Sequence, residues 1–145
     1  EGGSDQSSRS GYVDFFVSDG AAEAFTANGG EGLRNLFALS GLGEGDVQPY
    51  VDVLLQPDAM QAALNWYRAG FIGGAERPLL GPCTVPTMFV WSTEDGALGP
   101  DGARWTEQYV DAPYRFEVIE GVGHWIADTV PDRLNALLLE HLGGM

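Results

Sequence analysis

The chain has no lysine, one cysteine and two histidines in 145 residues. Without lysine, Schiff-base chemistry and P-loop phosphate binding have no residue to run on. Cations are scarce altogether: seven arginines stand against 21 acidic residues, for a net charge of −14. Phosphate backbones and anionic bilayers are held by clustered cations, so neither nucleic acid nor a membrane is an expected partner. The acids are spread along the chain, which reads as a solvating surface rather than a binding tail. The lone Cys83 excludes an internal disulfide and a cysteine-rich zinc site, and it suits a reducing compartment, so a cytoplasmic location is expected. No metal or cofactor is expected. No apolar run approaches the ~18 residues of a membrane span, and no basic-then-apolar leader opens the sequence. It starts at Glu1 rather than at a methionine, which points to processing or to a fragment.

Apolar residues are plentiful. Hydrophobic side chains make up 44% and aromatics 11%, against 19% charged, enough for a packed core. The length fits one domain or half of a larger one, able to bury roughly two thirds of its unfolded surface.

Three regions are expected. Residues 1–10 are polar and rich in Gly and Ser, the composition of a mobile end. Residues 11–74 carry interrupted helical patterns: one helix stopped by Asn28-Gly29-Gly30, a second stopped at Ser40-Gly41, a third from about Asp46 and a fourth opened by Pro57. In residues 75–145 the periodicity changes. Thr87–Trp91 is a short continuous apolar run, the pattern of a strand buried on both faces of a parallel sheet. A helix over Gly102–Val110, capped by Asp101, then leads to a second strand over Tyr114–Glu120 and a final helix from Pro131. Strand, helix, strand, helix is a βαβα unit of an α/β fold. Two parallel strands leave two open edges and too little cover, so further strands must come from another chain.

Sites in open parallel sheets form beyond the carboxyl ends of the strands. Asp95 lies four residues past Trp91 and His124 four past Glu120. Neighbouring strands joined by one crossover bring those loops side by side, so a carboxylate meets an imidazole there. The carboxylate fixes the ring's tautomer, and the other ring nitrogen takes a proton from a nucleophile or from water. A loop histidine beside a tryptophan is more often just packed or solvated, so strand-end placement is the argument here. Three other acids compete for the orienting role: Glu94 is expected to point elsewhere, Asp101 reads as a helix cap and Asp128 lies on the way into the last helix, so Asp95 is preferred, while His141 sits near a helix C-terminus where a cation is favoured and is given no catalytic role.

The run Thr84-Val-Pro-Thr-Met-Phe-Val-Trp-Ser-Thr-Glu-Asp-Gly-Ala-Leu98, then Gly121-Val-Gly-His-Trp-Ile126, Pro131 and Leu137-Leu-Leu-Glu-His-Leu142, resembles the C-terminal part of α/β-hydrolases. Leu64-Asn-Trp-Tyr-Arg68 resembles the end of the helical cap in their epoxide-hydrolase-like branch. The resemblance covers about Tyr12 to Leu142 and implies an α/β-hydrolase fold with residues 11–74 as the cap. In that family the acid follows the penultimate core strand and the histidine follows the last, which implies Asp95 and His124 as two members of a catalytic triad. It also implies substrate-binding roles for Trp66, Tyr67, Phe15 and Trp125. A tyrosine at the place of Tyr67 donates a hydrogen bond or proton to an epoxide oxygen, usually beside a second tyrosine from an earlier cap segment. Phe15 falls at that second place, one donor short. Tyr67 also fits its helix's apolar stripe with Met60, Ala63 and Leu64, and serves there equally well as a packing residue.

The nucleophile elbow, a serine or aspartate between flanking glycines, is missing from the sequence. The expected partner is therefore the N-terminal part of the same hydrolase, as a separate chain carrying the nucleophile and oxyanion hole. A small apolar molecule is the expected substrate: an ester or lactone with a serine nucleophile, an epoxide or haloalkane with an aspartate. The rival expectation is a non-catalytic binding or assembly subunit built on a hydrolase scaffold.

Overall fold

A computed structural model describes residues 3–71 and 81–144. The chain divides into two compact units: Ser10–Arg77, whose described residues carry only helices and turns, and Glu1–Arg9 with Pro78–Met145, whose described residues carry the strands.

The helical unit contains α2 (Tyr12–Phe16), α3 (Ala21–Leu39), α4 (Glu44–Leu54) and α5 (Ala59–Phe71), while α1 (Gly3–Arg9) belongs to the other unit. The expected interruption of α3 is present: the backbone leaves helical geometry from Ala27 through Gly30, with Asn28, Gly29 and Gly30 all at positive φ. Gly30 is required twice over, by φ +87° and because a Cβ there would lie 3.1 Å from a Val51 methyl. That close approach lets α3 and α4 share a core in which Leu33 and Val51 are fully buried. α4 starts at Glu44 with Gly43 at its cap position, so Asp46 falls inside the first turn rather than before it. α5 starts two residues past Pro57, after Asp58 at φ +62°. It turns Met60 and Leu64 inward at i, i+4 spacing. Arg68 ties α5 to the loop after α2 by donating to the Val17 and Ser18 carbonyls, at 3.3 and 2.9 Å.

In the second unit, β1 (Thr87–Ser92) and β2 (Tyr114–Ile119) pair in parallel, Thr87 opposite Tyr114 through Ser92 opposite Ile119. The sheet they form is two-stranded among the described residues. Phe89 stacks on Phe116 across the pair, ring centroids 5.8 Å apart. The crossover holds α6 (Pro100–Trp105) and a 3-10 turn over Thr106–Tyr109. Asp101 is thus inside the first turn of α6, with Gly99 as the cap residue. After β2 come α7 (Ile126–Thr129) and α8 (Pro131–Gly143), the latter opened by proline at its first position as expected.

Residues 3–9 form α1, and polar side chains that composition assigns to solvent find backbone partners in the loop after β1. The Gln6 amide bonds Ala97 and Gly99, and Arg9 bonds the Asp95 carbonyl.

Candidate active site

The two loops beyond the carboxyl ends of β1 and β2 are stitched together residue by residue. The Thr93 N–H donates to the Ile119 carbonyl and the Glu94 N–H to the Val122 carbonyl, 3.1 and 3.0 Å, extending the strand pairing past the sheet. Ser92, fully buried, donates from its hydroxyl to the Gly123 carbonyl at 2.8 Å, and the Gly121 N–H donates to the Thr93 hydroxyl oxygen at 2.9 Å. Gly121 sits at φ +69°, the left-handed geometry that turns the chain back toward the first loop. Two small hydroxyl side chains and one left-handed glycine thereby hold His124 against Asp95.

Both oxygens of the Asp95 carboxylate lie 3.0 Å from His124 Nδ1. A carboxylate only accepts, so Nδ1 carries the proton and Nε2 is left as the basic nitrogen. Asp95 Oδ1 also accepts from the backbone N–H groups of Ala97 and Leu98, at 2.8 and 2.9 Å. Exposure is divided to match: the aspartate side chain is 5% exposed and the histidine side chain 39%. A buried, fully engaged carboxylate thus orients a ring whose far side is open, which equips the pair for general-base chemistry. Trp125 is half-buried and meets His124 edge to face, centroids 5.6 Å apart. Among the competing acids, Glu94 is exposed and Asp101 lies 4.0 Å from Arg104 in an exposed ion pair. His141 is in the last turn of α8.

The remaining predicted positions lie in the helical unit. Tyr67 is half-buried, with Phe16 edge-on at 4.9 Å. Phe15 does not share this cluster's centre: it packs on Phe25 at 5.3 Å and stays 46% exposed. The ring brought to Tyr67 is that of Tyr12, at 6.1 Å and 82°. Trp66 projects outward, 82% exposed. Sequence reasoning passed over Tyr12, although it stands three residues before Phe15 on the same short helix, spacing that puts both on one side. It also passed over Gln6 and Arg9, which a Gly/Ser-rich composition hides. Among the described residues no cluster of three or more His, Cys, Asp or Glu side chains is arranged to hold a metal ion, and no helix is long and apolar enough to cross a membrane.

No protein-family profile matches the chain. Individual proteins do. An AB hydrolase superfamily protein of Bacillus subtilis is 39% identical over 98 residues, 67% of this chain and 33% of its own length. Epoxide hydrolase 4 of Mus musculus is 30% identical over 124 residues, 79% of this chain and 34% of its own. The chain thus spans about a third of the length of the curated relatives it matches. Among solved structures, an epoxide hydrolase from Bacillus megaterium, determined with an inhibitor, superposes with a TM-score of 0.77 at 20% identity, covering 98% of this chain and 54% of that one. A metagenomic epoxide hydrolase of the α/β-hydrolase superfamily from hot environments gives 0.75 at 24% identity, covering 99% and 53%. At such identities the structural likeness establishes the fold.

Proposed function

This chain belongs to the α/β-hydrolase superfamily, in its epoxide-hydrolase-like branch, with the fold of the C-terminal part, and from that premise we propose that it supplies the acid and base for hydrolysis of a small apolar epoxide to its diol. The single observation that carries the reading is the Asp95–His124 pair, 3.0 Å apart with the carboxylate buried and the ring open. The names of the relatives support the epoxide as substrate. So does Tyr12 beside Tyr67, which supplies the second phenol that Phe15 lacks. Both tyrosines donate to the ring oxygen in this reading, and Phe15, Trp66 and Trp125 offer apolar contact. The lone thiol of Cys83, exposed and outside any disulfide, fits a cytoplasmic enzyme.

The nucleophile and oxyanion hole come from the N-terminal part of the same fold, as a separate chain or as a preceding segment, which also adds strands to the open edges of the sheet. The half-exposed apolar faces of Phe89, Phe116 and Leu137 are the surface such strands and helices cover. A carboxylate oxygen of the nucleophile attacks an epoxide carbon, the carbon–oxygen bond of the ring breaks, and the released oxygen takes a proton from a tyrosine hydroxyl. Water then gives a proton to His124 Nε2 as it adds to the carbonyl carbon of the alkyl ester. Cleavage of the ester's acyl–oxygen bond frees the diol and restores the carboxylate. The proton on His124 passes to the tyrosinate, so one epoxide and one water give one diol.

The test is turnover of the assembled hydrolase on an aryl epoxide and on an ester of matched size. Diol formation that dominates over ester cleavage and disappears in His124→Ala supports the reading. Dominant ester cleavage moves the assignment to a serine nucleophile, and no turnover of either favours a binding subunit.

A further inference from the structure

α1 touches the loop that carries the catalytic acid. Gln6 and Arg9 are three residues apart on one helix, so both side chains project from the same face. The Gln6 amide spans the loop as a neighbouring peptide group would: Nε2 donates to the Ala97 carbonyl at 2.8 Å, and Oε1 accepts from the Gly99 N–H at 2.8 Å. One turn further on, Arg9 Nη1 donates to the Asp95 carbonyl. From within the loop, the Asp95 carboxylate holds the N–H groups of Ala97 and Leu98. The peptides from Asp95 to Gly99 are thus fixed from two sides, by the carboxylate inside and by α1 outside.

We propose that Gln6 and Arg9 are positioning residues for the reaction, fixing the Asp95–Gly99 loop so that both carboxylate oxygens stay on His124 Nδ1. The proposal rests on the reading of Asp95 and His124 as acid and base. A carboxylate that already spends Oδ1 on its own loop can serve the imidazole only while that loop keeps its shape. Releasing the Ala97 and Gly99 peptides lets the Asp95 side chain follow them, and displacements of about 1 Å at a catalytic group cost on the order of a hundredfold in rate. The step that suffers most is the one that depends on the base, breakdown of the covalent ester by water. Ester formation, driven by the nucleophile and by the tyrosine donors, suffers less.

The test compares Gln6→Ala, Gln6→Glu and Arg9→Ala in the assembled hydrolase with an aryl epoxide, measuring kcat, KM and the acid-quenched ester intermediate by mass spectrometry. Gln6→Glu keeps the acceptor for Gly99, loses the donor to Ala97 and barely changes volume, so it remains informative where the alanine variant folds poorly. The expected result is kcat lower by about tenfold or more in Gln6→Ala, a smaller fall in Gln6→Glu and Arg9→Ala, KM falling together with kcat, and ester accumulating in steady state. Unchanged constants overturn the proposal. So does a fall in kcat that tracks the folded fraction with KM constant and no ester, the signature of a merely structural role. His124→Ala run in parallel separates the two layers. If it abolishes turnover while the α1 variants behave as wild type, the positioning proposal alone fails; if it retains turnover, the acid–base reading fails beneath it.

Discussion

The helical unit and the strand-bearing unit bury different things. In the first, apolar side chains close on one another: Leu33, Val51 and Leu64 have at most 1% of their surface exposed, and Val13, Phe16 and Phe25 join them. In the second, the faces of β1 and β2 remain half-exposed, and Leu138, Leu139 and Leu142 of α8 stay open. The second unit buries a smaller apolar set, Trp91, Ala103, Ile119 and Val122, and beside it two polar side chains, Ser92 and Asp95, at one end of its sheet. Burying a carboxylate is costly unless its lone pairs are engaged, and Asp95 meets that cost with two backbone N–H groups and an imidazole. One region closes apolar side chains between short helices, while the other adds to a smaller apolar set a polar pair held between two loops. Stability and chemistry therefore respond to different substitutions.

The largest expected effect falls on the polar pair. His124→Ala in the assembled hydrolase should lower kcat by roughly 10²–10⁴-fold, the range for removal of a general base, with little change in unfolding midpoint. Equal losses in activity and stability would erase the distinction between the units. Next comes the apolar core: Leu64→Ala should cost about 2–5 kcal/mol in denaturant unfolding, a loss read on the helical unit, while the Asp95–His124 contact persists by NMR. Tyr67→Phe and Tyr12→Phe should each reduce epoxide turnover by about tenfold or more and leave the melting curve nearly in place, whereas Phe15→Leu should do neither. A stability loss without a rate loss would return Tyr67 to the packing role its helix stripe allows. The smallest effect is Gly121→Ala. Nothing lies within 4 Å of the added Cβ, so only the left-handed backbone resists it, at about 1 kcal/mol, and the consequence should appear in kcat as His124 is turned from Asp95.

These contrasts were partly visible in the sequence. The strands, their order and the placement of Asp95 and His124 in the loops just beyond their carboxyl ends followed from apolar runs bounded by Gly and Pro, since strand length and crossover geometry leave few alternatives. The break at Asn28-Gly29-Gly30 was equally legible, because those residues tolerate positive φ. Helix starts were less so: Asp46 and Asp101 have the chemistry of caps yet lie one or more residues inside, a difference of register that composition does not carry. α1 was hidden for a different reason. Its order comes from side chains reaching a loop about 90 residues away in sequence, and no local pattern encodes that partner. Tyr12 against Tyr67 is likewise a tertiary pairing, whereas the family resemblance puts Phe15, three residues later, at that place.

In the proposed mechanism this chain supplies the base that completes a reaction begun by a nucleophile outside it. The most direct measurement is intact-mass analysis of the assembled His124→Ala enzyme after exposure to an aryl epoxide. The expected result is a stable adduct of substrate mass on the N-terminal part of the fold with no release of diol; diol released at the wild-type rate, or an adduct located within residues 1–145, rules the mechanism out.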